Sequence, residues 1–340
     1  MKNKLTISDI AKAAGVSTTT VSFVLNNKEG ISKETRQKVL DIIEETNYRP
    51  TLNSRRLYFR KSFTIAVMFD RTSYRTDNLF YLDLTNALLK RCTAYSYSLV
   101  YSEYSYENDM ITLPDIVLNK DVDGLVFVKD LPLALITALQ NLDIPFVVAD
   151  DHSDHDTLHT VKVDYRSAAY SAVKHLIEQG HRKIGFVGNM HLPTFYTQIF
   201  SGYQKALREA GLPLNLDWCF EKVHNRETME QFMAQLLREE ELPTAVFCME
   251  DMLAIELIRY LQKQNISVPD EISVISIDNI ILSSVIYPSL TTVSIDKEQV
   301  SSYAIDILIN LINNEPAESV TVSANNIVVR ESVKNLTEGS

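Results

Sequence analysis

The stretch "AAGVSTTTVSFVLNN", residues 13–27, sets one glycine between small residues and a run of hydroxyls. Upstream, "ISDIAKAAG" places Ile7, Ile10, Ala11 and Ala14 on one stripe at helical spacing, with Thr6 as a candidate cap and Asp9 three residues after it. Gly15 allows a tight turn, and Val16 can plug the space between two helices. Ser17 is a good N-cap for a second helix running to about Asn26, with Val21, Val24 and Leu25 facing inward. Two short helices joined by a glycine turn form the helix-turn-helix pattern. A third helix is signalled by Ser32 as cap, by Val39, Leu40, Ile42 and Ile43 on its buried side, and by Asn47 as a left-handed stop.

That packing leaves Thr18, Thr19, Ser22, Phe23 and Asn26 of the second helix outward. At the start of a recognition helix, Thr18 and Thr19 sit beside Ser17, where base edges come within reach in a major groove. A threonine offers a hydroxyl to a base edge and a methyl to thymine. The charge distribution points the same way. Residues 1–61 hold 12 Lys and Arg against 6 Asp and Glu, whereas the remainder holds 21 against 38, within a chain of net charge -11. A basic head on an acidic body confines polyanion binding to the head.

The next segment, "YRPTLNSRRLYFRKS" at residues 48–62, concentrates Arg49, Arg55, Arg56, Arg60 and Lys61 in a linker opened by Pro50. Leu57 stands among these charges, as an apolar wedge entering a minor-groove base step would.

From its first residues through this linker, "LTISDIAKAAGVSTTTVSFVLNNKEGISKETRQKVLDIIEETNYRPTLNSRRL" resembles the head and hinge of the LacI/GalR family of bacterial transcriptional regulators. The resemblance implies a hinge that folds on DNA and a leucine, here Leu57, that levers open the central base step. It places phosphate contacts at Thr6, Ser22, Asn26, Ser32 and Thr35, base reading at Thr18, Thr19 and Phe23, and hinge contacts at Asn53, Arg55 and Arg56. Phe23 departs from the arginine that many members carry. It has no donor for guanine, so it either touches thymine methyls or packs sideways and reads nothing.

From residue 63, short runs rich in Val, Phe and Ile ("FTIAVMF", "YSLVYS", "DGLVFV", "IPFVVAD", "TAVFCME", "ISVISIDN") alternate with helical stretches. This is the pattern of parallel sheets with right-handed crossovers, in two successive α/β halves around a cleft. The landmarks "VDGLVF", "GHRKIGFVG", "SGYQKAL", "PTAVFCMED", "VPDEISVISIDN" and "PSLTTV" extend the resemblance over the whole chain. The implied class is α/β: an all-α helix-turn-helix head (1–47), a hinge (48–61), and a bilobed body (62–335) like periplasmic binding proteins. The body's two parallel-sheet subdomains would be an N-subdomain of about 62–162 and 290–324 and a C-subdomain of about 163–289 and 325–335.

The resemblance also places an effector in the cleft. Asp278 and Asp164 match acidic pocket positions, Phe247 an apolar wall, and Phe80 and Tyr81 positions often aromatic. A strand-end Asp can equally cap a helix. Two departures matter: Ile199 stands where an effector-binding arginine is usual, and Glu250 where an asparagine is. Losing the guanidinium removes a strong bidentate clamp, and Arg226 on a neighbouring loop is the candidate replacement. The effector is then a sugar or related metabolite, a modified or charged sugar, or a partner protein or corepressor acting in its place. A homodimer is expected, with Ile281, Leu282, Val285 and Ile286 of "NIILSSVIYP" as its contact face, on a near-palindromic duplex. The tail "KNLTEGS" lacks the heptads of a tetramer-forming coiled coil.

Other chemistries find little support. "DDHSDHDTLH" at 150–159 reads as a solvated loop before it reads as a metal site, and "GFVG" lacks dinucleotide-binding spacing. No phosphate-binding GxxxxGK[ST], HExxH or GxSxG occurs, so neither an enzyme nor a cofactor is expected. The tyrosines of "YSYSLVYSEYSY" at 95–106 fit a half-buried strand, with sugar stacking as the other reading. Cys92, Cys219 and Cys248 are far apart and read as buried reduced thiols. Residues 1–30 hold no apolar signal core and no 18-residue apolar run occurs, which points to the cytoplasm and against a solute-binding protein with the same body.

Overall fold

In the computed structural model, each of the first three helices opens on a hydroxyl. α1 (Ile7–Ala14) begins with a reciprocal capping box: the Thr6 N–H and hydroxyl donate to Asp9 Oδ2 (2.8 and 2.7 Å), and the Asp9 N–H returns to Thr6 Oγ1. Gly15 ends the helix in the left-handed region, at φ 66°, where a Cβ would be strained. α2 (Thr18–Leu25) is capped by Ser17, whose Oγ accepts the Thr20 N–H at 3.0 Å. α3 (Lys33–Thr46) is capped by Ser32, whose Oγ accepts the Thr35 N–H at 3.2 Å. Ile10, Ala11, Ala14, Val21, Val24 and Val39 form the core of this bundle, with Ile7, Val16, Leu25, Ile31, Ile42 and Ile43 packed around it.

The structure describes residues 5–25, 30–46, 61–71, 78–107, 110–153 and 157–337. Asn26, Asn47, Asn53, Arg55, Arg56 and Leu57 lie outside them. Two expectations for the head need correction. Leu40 is 41% exposed, because the Val39, Ile42 and Ile43 stripe already fills the buried face and Leu40 lies about 100° around the helix from Val39. Ser22 is only 3% exposed, since a small side chain flanking the Val21–Leu25 stripe is drawn into the packed rim.

The chain forms two compact units, Met1–Phe63 and Thr64–Ser340. The second unit is built on two sheets. The first has seven strands in the order β12-β6-β5-β4-β1-β2-β3: β1 (Thr64–Asp70), β2 (Ser98–Glu107), β3 (Met110–Thr112), β4 (Gly124–Val128), β5 (Phe146–Ala149), β6 (Thr160–Val163) and β12 (Val320–Val322). The second has six in the order β13-β11-β10-β9-β7-β8: β7 (Ile184–Val187), β8 (Cys219–Phe220), β9 (Ala245–Cys248), β10 (Ser273–Asp278), β11 (Thr291–Ser294) and β13 (Asn326–Val328). Pairing is parallel throughout, except β2 with β3 and β11 with β13. Continuous apolar runs such as "IAVMF" become strands buried on both faces, which a parallel sheet covered by helices demands.

Helices α4 (Leu79–Ala94), α5 (Asp115–Leu118), α6 (Leu133–Gln140), α7 (Tyr165–Glu178), α8 (Pro193–Glu209), α9 (Arg226–Leu236), α10 (Asp251–Lys263) and α11 (Lys297–Ile312) complete the unit. The chain passes between the sheets three times: through α7 after β6, through α11 after β11, and directly from β12 to β13. The return to the first sheet was expected at 290. It comes after β11 instead, because Thr291–Ser294 pairs with Ile275–Asp278 of β10. The tyrosine-rich segment forms β2, with Tyr104 buried and Tyr101 exposed. Cys92 and Cys248 are buried free thiols, and Cys219 is half-buried.

Candidate functional site

The carboxyl ends of strands from both sheets converge on a cavity of about 300 Å³. In open α/β sheets this is where ligands bind, at strand ends with no helix directly above. The first sheet contributes Phe69 and Asp70 at the end of β1, Lys129 and Asp130 after β4, and Asp150 and His152 after β5. The start of α4 adds Asn78, Phe80 and Tyr81, with Asn78 Oδ1 accepting the N–H groups of both aromatics (3.1 and 3.3 Å). From the second half come Tyr165 at the start of α7, the turn His191–Leu192–Pro193 with Phe195 on α8, Glu250 after β9 and Asp278 at the end of β10.

Three of these residues hold left-handed backbones without being glycine: Lys129 (φ 71°), Asp150 (φ 58°) and Asp278 (φ 124°). Each sits where a strand stops and its side chain must turn toward the cavity. Non-glycine strain of this kind costs on the order of 1 kcal/mol or more and collects at functional sites.

Asp150 organises the first-sheet wall. Its Oδ2 accepts Tyr81 Oη (3.0 Å), its Oδ1 accepts Tyr165 Oη (2.7 Å), and His152 Nε2 lies 3.4 Å away. Burial works to raise the Asp150 carboxyl, but the neighbouring His152 and the hydrogen bonds from Tyr165 and Tyr81 bring it below its ordinary value. Burial opposes charge on His152 too, yet Asp150 opposite outweighs it and lifts the imidazole. Both tyrosines are pushed well up, first by burial and then by Asp150, so they stay neutral donors. The His152 ring stacks on Phe195 at 4.6 Å and meets Tyr165 edge-on at 5.3 Å, while its N–H on the backbone donates to Asp130 Oδ1 at 2.7 Å. The Asp150–His152 segment is therefore buried. It was expected to be a solvated loop; Tyr81 and Tyr165 hold the Asp150 carboxylate instead, while Asp151 Oδ2 and His152 Nε2 are buried without a hydrogen-bond partner among the described residues.

On the opposite wall, Asp278 is raised well above the usual carboxyl range, first by burial and then by Asp251 and Glu250. Glu250 is raised by burial, partly offset by Lys129. Behind them Asp251, at the start of α10, accepts hydrogen bonds from Ser276 Oγ (2.6 Å), Thr292 Oγ1 (2.6 Å), the Ile280 N–H (2.9 Å) and Ser283 Oγ. It ties the segment that follows Asp278 to β10 and β11.

Of the effector candidates, Phe80, Tyr81, Glu250 and Asp278 line the cavity. Three others do not. Asp164 caps α7, accepting the Ser167 N–H (2.9 Å) and hydroxyl (2.6 Å), and its carboxylate is consumed there. Phe247 is fully buried on β9 between Phe186 and Tyr203, with ring centroids 5.7 and 6.4 Å away, so it packs the helix-facing side of its sheet. Arg226 opens α9, exposed and paired with Glu230 at 3.0 Å. It does not replace the missing guanidinium, and among the described lining residues the cavity contains no arginine. Asp150, His152, Lys129, Tyr165 and Phe195 were not foreseen. Their signal was positional: "LVFVKD" and "FVVADD" each end an apolar strand on charge.

In the head, Thr18 and Thr19 are exposed on the first turn of α2 and Phe23 is half-buried. Thr6, Ser17 and Ser32 stand at helix N-termini, where the backbone dipole and free N–H groups favour phosphate. Thr35 lies one turn into α3, its Oγ1 accepting the Ser32 hydroxyl at 2.8 Å.

Residues 6–51 match the bacterial regulatory proteins of the lacI family, and residues 173–333 match the periplasmic binding protein-like domain. Catabolite control protein A of Priestia megaterium is 32% identical over 334 residues, covering 97% of this chain and 99% of the relative. The chain belongs to the LacI family of bacterial regulators. Its fold also matches the lac repressor dimer bound to operator and the anti-inducer ONPF, with a TM-score of 0.74 at 22% identity, covering 98% and 100% of the two chains. The regulator CelR in complex with cellobiose aligns at TM-score 0.68 and 22% identity, covering 96% and 99%. This LacI-family regulator accordingly joins a DNA-binding head to a ligand-binding body, and its relatives are transcriptional regulators rather than enzymes. Among its described residues no helix is long and apolar enough to cross a membrane, and no group of His, Cys, Asp or Glu is placed to hold a metal.

Proposed function

We propose that this regulator works in the cytoplasm as a homodimeric repressor on a near-palindromic operator, released or tightened by a small sugar-like metabolite in the cleft. The observation that carries this reading is the pairing of an exposed, capped Thr18–Thr19 turn with an aromatic, carboxylate-lined cavity within one family member. The cellobiose complex of a protein with this fold supports a sugar-like occupant. An apolar run at Ile281–Ile286 supports the dimer: Ile281 and Val285 are 63% and 68% exposed, and Leu282 and Ile286 are half-buried beside them. Such a patch on a soluble body is expected to be covered by a partner. Ligand and DNA would then influence each other's affinity by the same factor.

The recognition helix is tested by substitution. Thr18→Ala and Thr19→Ala should each weaken binding to a selected operator by about fivefold or more, roughly 1 kcal/mol, with nonspecific binding unchanged. Fluorescence anisotropy at fixed salt reads both. Variants that keep the wild-type affinity for the operator would remove Thr18 and Thr19 from base reading. Phe23→Ala belongs in the same series, because loss of affinity only at operators with a thymine opposite would assign it to methyl contact.

A further inference from the structure

The cavity's carboxylates fall into two sets. Asp150 and Asp130 are satisfied by the walls: Asp150 by the hydroxyls of Tyr81 and Tyr165, and Asp130 by the His152 N–H. Glu250 and Asp278 are not. Among the described residues neither side-chain carboxylate accepts a hydrogen bond, although Asp278 is only 9% exposed and both line the cavity. Carboxylates that line a cavity and accept nothing from the protein leave their lone pairs to whatever enters it, and Glu250, half-buried, adds its repulsion to Asp278. The nearest fixed cations do not close the account: Lys297 Nζ donates to the Asp278 carbonyl oxygen at 2.6 Å, and Lys129 sits over the Tyr81 ring at 4.7 Å.

We propose that the occupant of this cleft is a compact organic cation, a small ring or chain bearing a protonated primary amine, seated between Glu250 and Asp278 with its apolar body against Phe195 and Phe80. The inference rests on reading the cleft as the effector site and narrows the class of effector. An ammonium brings three donors to two carboxylates that accept no hydrogen bond, and a positive charge beyond the partial offset that Lys129 gives Glu250 and Lys297 gives Asp278. A neutral polyol brings donors but leaves the charge. Asp278 is pushed up first by burial and then by repulsion from Asp251 and Glu250, and a cation beside it offsets the repulsive part. At about 300 Å³ the cavity lies at the small end for ligand sites, which fits one ring or a short chain.

The test is calorimetric titration of the full-length protein with D-glucosamine, D-galactosamine and D-mannosamine, each beside its hydroxyl and N-acetyl counterparts, and with putrescine as a chain amine. At least one amine should bind about tenfold or more tightly than its neutral counterparts, with 1,4-butanediol serving as the counterpart of putrescine. That preference should vanish in Glu250→Gln and in Asp278→Asn, whose folding is checked by circular dichroism. Binding by an amino sugar and not putrescine identifies a sugar source, and the reverse identifies an aliphatic amine; either supports the proposal. Neutral counterparts binding as tightly, no amine of the set binding at millimolar concentration, or an unchanged preference in both variants would overturn it. A neutral sugar that binds and alters operator affinity would keep the regulator reading and sink this one. An amine that binds without altering operator affinity would do the opposite.

Discussion

Replacing Asp251 by Ala is expected to destabilise the Thr64–Ser340 unit by about 4 kcal/mol. Four donors converge on this buried carboxylate: the hydroxyls of Ser276, Ser283 and Thr292, and the Ile280 N–H. Each buried donor left without an acceptor costs roughly 1–3 kcal/mol, the lower end applying to hydroxyls that can rotate toward another oxygen. Four such losses at about 1 kcal/mol each set the magnitude. The helix N-terminus adds to it, because a carboxylate at the first residue of α10 meets the positive end of the backbone dipole. Asp251→Asn keeps an oxygen for the Ile280 N–H and should cost only about 1–2 kcal/mol. Urea unfolding of the full chain, followed by a probe of the body, distinguishes them through the midpoint at constant slope. The consequence reaches the site. Ile280–Ser283 follows Asp278 with one residue, Asn279, between, so the alanine variant should also lose ligand affinity under conditions where it remains folded. Equal stability of Ala, Asn and wild type would show that Asp251 anchors nothing.

Gly202→Ala should cost about 3 kcal/mol, the upper part of the range for overpacking. A Cβ at this position on α8 would stand 2.2 Å from the Arg166 carbonyl oxygen, 2.8 Å from Ala169 Cβ and 3.0 Å from the Tyr170 nitrogen, all on α7. Two of these are backbone atoms, which cannot rotate aside, so the helices must part. Tyr165 begins α7 and Phe195 lies in the first turn of α8, with their rings 4.6 Å apart edge-on. Separation of the helices therefore loosens the aromatic wall, and ligand affinity should fall together with melting temperature. Ser201→Ala, on the same helix but with its hydroxyl bonded, among the described residues, only to the Gln198 carbonyl, is the control and should stay within about 1 kcal/mol of wild type. A Gly202→Ala protein that melts with wild type would mean the two helices are not held at this distance.

Local signals carried the head and long-range ones hid half the site. Thr6 with Asp9, Ser17 and Ser32 could be read as caps because a helix start is decided within four residues. Leu40 could not be placed that way, since its exposure depends on which of several apolar residues the other two helices cover. The strand runs were legible from composition, whereas the return after β11 was not, because Thr291–Ser294 chooses its sheet by pairing with β10. In the cleft, position matching found Phe80, Tyr81, Glu250 and Asp278. It misplaced Asp164, which spends its carboxylate on Ser167, and Arg226, which spends its charge on Glu230. Asp150 and His152 were missed for the opposite reason. A run as polar as "DDHSDHD" reads as solvent-facing until the fold brings Tyr81, 69 residues away, onto the Asp150 carboxylate.

The most direct test of the account is selection of random duplex DNA by the purified full-length protein at a fixed, stated salt concentration, with and without the amines above. A dimeric reader with α2 in the major groove predicts a near-palindrome whose half-sites lie about one helical turn apart, with a flexible central step, and an enrichment that changes when a binding ligand is present. Recovery of no shared sequence in any condition, or of a single asymmetric half-site, would contradict it.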